Sequence, residues 1–214
     1  MTGRERLVAA GRGGELDRKP LILRTQDARA DGWVSTEAAP REGEQACLKQ
    51  VDSPFARSLA QGLDLNDLMQ GDPASGEQAL SSFAADTRKE MLDALEAGFD
   101  GIYYRLDGAY PDAATPMEYG GHYLEVDRAL LSEVADARFN LIWVEGDSEP
   151  YLDFVSDLPG HALGWSVSKT GVAIESLREM RTGALAGDAD EADIHIFDTF
   201  AEAQAALSKA EARN

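Results

Sequence analysis

From Pro20 onward, short apolar runs of strand length alternate with longer stretches whose apolar residues recur every three or four positions. LILR (21–24), CLKQV (47–51), GIYYRL (101–106), LIWVEG (141–146), HALGWSV (161–167), GALAG (183–187) and IHIF (194–197) have strand length and β-branched or aromatic content, and they read as strands. Between them, ADTRKEMLDALEAG puts Met91, Leu92 and Leu95 on one helical face, with Gly98 placed as a C-cap glycine. YLEVDRALLSEVADARF repeats that period with Leu124, Leu130, Leu131 and Val134, and Asp198 or Thr199 stands where it would cap FAEAQAALSKA. Strand, helix and strand in succession predict a parallel α/β sheet. The polar segment from Gln26 to Gln45, which holds Gly32, Pro40 and Gly43, breaks the rhythm and reads as a long loop with no regular element of its own.

Length and composition narrow the architecture. A chain of 214 residues, 43% hydrophobic, can bury a proper core and is most simply one domain over 1–214. About seven strand candidates, in a chain shorter than the roughly 250 residues of an eight-stranded (β/α)8 barrel, leave it roughly one strand unit short of a complete TIM-type barrel, the fold that the family resemblance given below implies. Acidic residues outnumber basic ones 39 to 20, for a formal charge of -19, which argues against nucleic acid and anionic membranes as partners. The lone Cys47 excludes an internal disulfide framework and a multi-cysteine zinc site. No apolar run approaches the ~18 to 20 residues of a membrane span, and MTGRERLVAAGRGG lacks a signal-peptide core, so a soluble cytoplasmic protein is expected.

In a barrel the C-terminal ends of the strands converge on one pocket. Arg105 and Asp107, Glu145 and Asp147, and Ser166 and Ser168 are placed to meet there, with Asp188 at the end of the glycine strand. Asp107 and Glu145 would form a carboxylate pair with separated pKa values, the arrangement that supplies an acid and a base at neutral pH. The competing reading is that Arg105 simply neutralises Asp107. Tyr103 and Tyr104 alternate faces, so one of them enters the barrel, while Trp143 and Trp165 suit a pocket wall or core. His122, in EYGGHYLEVD, would swing over the pocket as a proton shuttle or is merely solvated. His161 and His195 read as structural.

The order of several motifs carries a family resemblance. TGRERLVAAGRGGELDRKPLIL, VDSPFARSLAQG, LEAGFDGIYYRLDGAY, NLIWVEGDSEPYLDF and DLPGHALGWSVSKTGVAIESLREMRTGALAGD together resemble, in register, segments of the uroporphyrinogen decarboxylase superfamily. That superfamily contains cofactor-free decarboxylases of a carboxylate-rich tetrapyrrole and zinc-dependent corrinoid methyltransferases. Where the methyltransferases carry a His-x-Cys zinc motif this chain has Trp143 and Glu145, and no cysteine follows Cys47, so neither a metal nor another cofactor is implied. The decarboxylases' paired arginines find an echo in RTQDAR, which makes Arg24 and Arg29 candidates for gripping a carboxylated substrate. Their essential aspartate falls in the segment between Arg29 and Ala46 where a strand is expected to be missing, their catalytic tyrosine falls near Ala60, and their serine corresponds to Asp107.

The resemblance implies lyase-type chemistry on, or binding of, a small carboxylated and possibly tetrapyrrole-like molecule. Asp107, Glu145 and His122 are the catalytic candidates, and Arg24, Arg29, Arg105, Tyr103, Trp143, Asp147 and Trp165 are the substrate-binding ones. A catalytically degenerate barrel acting as a binding or regulatory module is the alternative. A metal hydrolase using Asp107, Glu145, Asp147 and His122 has the right ligand types, widely scattered. A homodimer covering the gap left by a missing strand is expected, unless the Gln26 to Gln45 loop supplies an irregular strand and closes the barrel within one chain.

Overall fold

The computed structural model describes residues 1–36 and 43–211. Eight parallel strands close into a barrel in simple sequence order: β1 (Leu21–Leu23), β2 (Gly32–Ser35), β3 (Ala46–Asp52), β4 (Gly101–Leu106), β5 (Leu141–Val144), β6 (Ala162–Trp165), β7 (Ala184–Gly187) and β8 (Ile194–Phe197). The ring is completed by β1 pairing with β8, Leu21 opposite His195 and Leu23 opposite Phe197.

The TIM-type architecture is therefore present with its full strand complement, and the expected strand gap is not. Gly32–Ser35, inside the segment read as a loop, pairs with β1 on one side and β3 on the other. Four residues beginning with glycine, and almost wholly buried, show no polar alternation, and this hid the strand. The shortening falls instead on the helical layer: among the described residues no helix lies between β1 and β3.

Strand parity sorts the core. Ile22, Val34, Leu48, Tyr103, Leu141, Trp143, Ala162, Ala186, Ile194 and Ile196 share the cluster inside the barrel. Their chain neighbours Cys47, Val51, Tyr104, Ile142, Val144, Leu163, Trp165 and Leu185 belong to the larger cluster between sheet and helices. Small residues hold the strands close. At Gly101 a Cβ would lie 1.8 Å from the Phe139 carbonyl oxygen, and at Gly164 2.0 Å from that of Ala186.

Helices cover the rest of the barrel: α1 (Gly3–Gly11), α2 (Pro54–Ala60), α3 (Leu65–Gly71), α4 (Pro73–Glu96), α5 (Pro116–Glu118), α6 (Leu124–Glu133), α7 (Leu152–Val155), α8 (Val167–Thr170) and α9 (Phe200–Glu211). Helix α1 starts with a capping box between Thr2 and Glu5, and its Leu7 and Ala10 join the interior cluster, so it plugs the N-terminal end of the barrel. A charged latch holds the plug. Asp31 receives Arg6, both arms of Arg18 at 2.7 and 2.8 Å and the Leu21 amide at 2.8 Å, while Arg6 also grips Asp17 at 2.7 Å. On the outer face, α4 presents Leu80, Phe83, Met91 and Ala94 to the sheet and Gly98 ends the turn at φ +92°. Between α5 and α6 the chain makes a π-helical turn, Tyr119–Tyr123.

Candidate functional site

The inward parity of each strand runs on past its last buried residue. Two positions beyond Ile22, Tyr103, Trp143, Ala186 and Ile196 stand Arg24, Arg105, Glu145, Asp188 and Asp198. A ring of charge therefore crowns an apolar interior at the C-terminal mouth, the end that carries the chemistry of such barrels.

A cavity of about 430 Å³ opens on the β5 to β8 side of this mouth, lined by Arg24, Trp143, Glu145, Ser166, Asp188 and Asp198 among others. Arg24 forms part of its inner wall. The guanidinium carbon lies 4.9 Å from the Trp143 ring and 5.8 Å from that of Tyr103, two rings that stack at 6.4 Å. One arm of Arg24 reaches Asp198 at 3.1 Å, while its Nε, like the hydroxyl of the 1% exposed Tyr103, is buried with no hydrogen-bond partner. Buried donors left without acceptors are uncommon and costly.

Glu145 sits half-buried across the same cavity, placed there by its own amide, which donates to Leu106 O at 2.9 Å. Its carboxylate takes part in no hydrogen bond or ion pair among the described residues. Burial pushes its pKa above the ordinary carboxylate value. Arg24 and Arg105 pull the other way, and Asp107 adds to the rise. Glycine at 146 is required beside it, because φ is +117° and a Cβ would strike the Tyr110 ring at 2.8 Å. On the far wall Asp188 is held by the Ser166 hydroxyl at 2.8 Å, the Ser168 amide at 3.1 Å and the Ser168 hydroxyl.

Arg24, Trp143 and Glu145 thus meet as expected, with Tyr103 beneath Arg24. The other expected members do not line this cavity. Asp107 accepts from the Gly108 amide at 2.9 Å and the Tyr110 hydroxyl at 2.8 Å, which commits its carboxylate to its own turn. Arg105 makes its hydrogen bonds to Asp52, at 2.8 and 3.2 Å, with Glu145 and Asp107 as more distant acidic neighbours. Asp147 is exposed at the rim, 3.4 Å from Lys169. Arg29 is an exposed residue paired with Asp27 and laid over the Phe200 ring at 3.7 Å. His122 lies exposed on the π-helical turn beside Tyr123 and does not line the cavity. Trp165 has outward parity, is fully buried under the helices and donates from its indole nitrogen to Val172 O at 3.0 Å. Asp52 escaped the sequence reading and Asp198 entered it only as a candidate helix cap, yet counting by twos from Leu48 and Ile196 finds both.

Among the described residues no cluster of three or more His, Cys, Asp or Glu side chains is placed to hold a metal ion. Cys47 faces the outer core, where burial and then Asp100 push its thiol up to about 12. Among the described residues no helix is long and apolar enough to cross a membrane.

No family model matches the chain, and no curated protein does. Among solved structures, a methyltransferase from Methanosarcina mazei superposes with a TM-score of 0.63 at 14% identity, over 80% of this chain and 60% of that one. The chain thus spans 60% of that protein's length, and the likeness shows a shared fold.

Proposed function

We propose that the mouth of the barrel binds a small carboxylated molecule through Arg24 and that Glu145 exchanges a proton with it, in metal-independent lyase-type chemistry of the kind the uroporphyrinogen decarboxylase superfamily performs. The observation that carries this reading is the pairing of an unsatisfied, aromatic-backed Arg24 with an uncommitted Glu145 in one cavity. A carboxylate would pair with the Arg24 guanidinium, whose one ion-pair partner among the described residues is Asp198.

Size and charge restrict the ligand. About 430 Å³ lies toward the small end of ligand cavities, and Glu145, Asp188, Asp198 and Glu202 face only Arg24 and Lys169 across it. Such a lining repels a polycarboxylate and favours a compact molecule with one or two acidic groups. In the lyase form, Arg24 anchors one carboxylate. A second, desolvated against Trp143, loses CO2 as its C–C bond breaks, the electron pair passes into the substrate's own π-system, and protonated Glu145 delivers a proton to the carbon left behind. The raised pKa of Glu145 suits it to that delivery.

A second reading, a binding module without catalysis, is favoured by one observation. Arg105 and Asp107 are committed to Asp52 and Tyr110, which leaves Glu145 without an acid–base partner.

Calorimetric titration of mono-, di- and tricarboxylates and of a coproporphyrin-like ligand, with CO2 release followed in parallel, separates the readings. Arg24→Ala should weaken binding by roughly 1 to 3 kcal/mol, the range for hydrogen bonds to charged groups. Glu145→Gln should keep binding and abolish CO2 release. Binding with no release even in the unaltered protein selects the binding module, and unchanged affinity in Arg24→Ala refutes both.

A further inference from the structure

At the opposite end of the barrel, where α1 plugs the strands, lies a groove of about 660 Å³ whose walls include Arg12, Asp157, His161, Arg181 and Gly183. Its charge runs against the rest of the molecule. In a chain of net charge -19, it gathers two arginines and a histidine against a single acid, Asp157, which is already taken by Arg128 at 2.9 Å.

Arg181 is the unusual member. It is 8% exposed, follows the 3-10 turn Ile174–Leu177, and has no carboxylate within ion-pair distance among the described residues. Its Nη1 donates to the carbonyls of Ser156 and Leu158 at 2.9 and 3.0 Å, and its Nη2 to that of Gly160 at 2.6 Å, while Nε is buried with no partner, so Arg181 offers the groove an uncompensated positive charge. Burial without a neutralising anion pushes the guanidinium down to about 10, only partly offset by Asp157. Buried cations are ordinarily paired.

The neighbours complete a set of donors. His161 accepts the Asn140 amide on Nδ1 at 3.0 Å, which fixes its tautomer with the proton on Nε2, a donor with no partner among the described residues. Arg12 is exposed at the end of α1 and makes no side-chain hydrogen bond or ion pair with any described residue. Arg12 and Arg181 both lie near enough to His161 to add, after burial, to the lowering of its pKa. The lack of a side chain at Gly183 leaves room beside Arg181: a Cβ there would lie 3.2 Å from its Nε and 3.2 Å from His161 O.

We propose that this groove binds a small oxyanion of the phosphate type, free or carried as a phosphomonoester, between Arg12, His161 and Arg181. Two guanidinium charges and an imidazole N–H drawn from three separate segments suit a tetrahedral dianion better than a planar monocarboxylate. The site is independent of the mouth, because α1 and the packed barrel interior stand between them.

The test is titration with inorganic phosphate, and separately with phenyl phosphate, at constant ionic strength, read by calorimetry and by the shift in thermal midpoint. Saturable binding at millimolar concentrations or tighter is expected, with phenyl phosphate favoured if the ester is the true ligand and inorganic phosphate if the free ion is. Arg12→Glu and His161→Gln, both outside the core, should each weaken it about tenfold or more. Arg24→Ala, at the opposite end, should leave it unchanged. Absence of saturable binding overturns the proposal, and so does binding that survives both Arg12→Glu and His161→Gln, whatever Arg24→Ala does to it.

Discussion

Asp127 offers a sharp test of the packing outside the barrel. It projects from α6, is 2% exposed, and accepts the Tyr104 hydroxyl at 2.6 Å and the Tyr119 hydroxyl at 3.4 Å, with no ion-pair partner among the described residues. Burial raises its pKa to about 7 against the lowering effect of the two hydroxyls. A folded-state pKa above the unfolded value near 3.9 means that the native protein holds this proton more tightly. The associated stability is complete below about pH 4 and is lost as pH rises to about 7. About 3 pH units at about 1.4 kcal/mol each give a loss of about 4 kcal/mol across that window, as an upper bound. Asp127→Asn keeps the shape and an acceptor for Tyr104 but has no proton to lose. Urea denaturation of both proteins between pH 4.5 and 8 is the assay. The difference in unfolding free energy should move in favour of Asp127→Asn as pH rises, while the other carboxylates cancel in the comparison. Tyr104→Phe, which removes the stronger of the hydrogen bonds that favour the carboxylate, should carry the slope to higher pH. A difference that stays flat across the range would refute the assignment of this proton.

Two further outcomes follow from the barrel itself. Gly101→Ala should cost more than about 4 kcal/mol or abolish folding, as judged by circular dichroism and urea melts, because its Cβ would sit 1.8 Å from a backbone oxygen that cannot step aside. Because Gly32–Ser35 closes the ring and leaves no open edge, the edge-driven reason for a dimer disappears. Light scattering and circular dichroism along a dilution series should show the fold persisting at low micromolar concentration, and unfolding on dilution would show that a second copy completes it.

The sequence disclosed the parallel barrel because seven strands carry β-branched or aromatic runs long enough to stand out between amphipathic helices. It hid β2 because Gly32, Trp33, Val34 and Ser35 are too few to display a period, and the missing helices around them removed the usual rhythm. At the site, Glu145 was legible as a strand-end acid and Trp143 as pocket wall or core, while Arg24 was reached through the resemblance of RTQDAR to a family motif. Asp107 and Arg105 were legible as candidates, yet their partners Tyr110 and Asp52 are fixed by turn geometry and by the neighbouring strand, which no local pattern encodes. Trp165 was misplaced by parity: it lies one position from the inward Gly164 and so points to the helices. The groove around Arg181 left no local signal, because its carbonyl partners at Ser156, Leu158 and Gly160 lie between 21 and 25 positions away.

The pairing of β1 with β8 has a consequence for how the protein is made. Arg24 and Asp198, which face each other across the seam, are 174 positions apart in the chain. During synthesis β1 leaves the ribosome early and its outer edge stays unpaired until residues 194–197 emerge, a long interval in which exposed backbone invites wrong partners. A nascent chain interrupted before Ile194 has neither a sealed sheet nor Asp198 to hold Arg24 over Trp143, so the mouth takes its shape only when translation has passed the last strand.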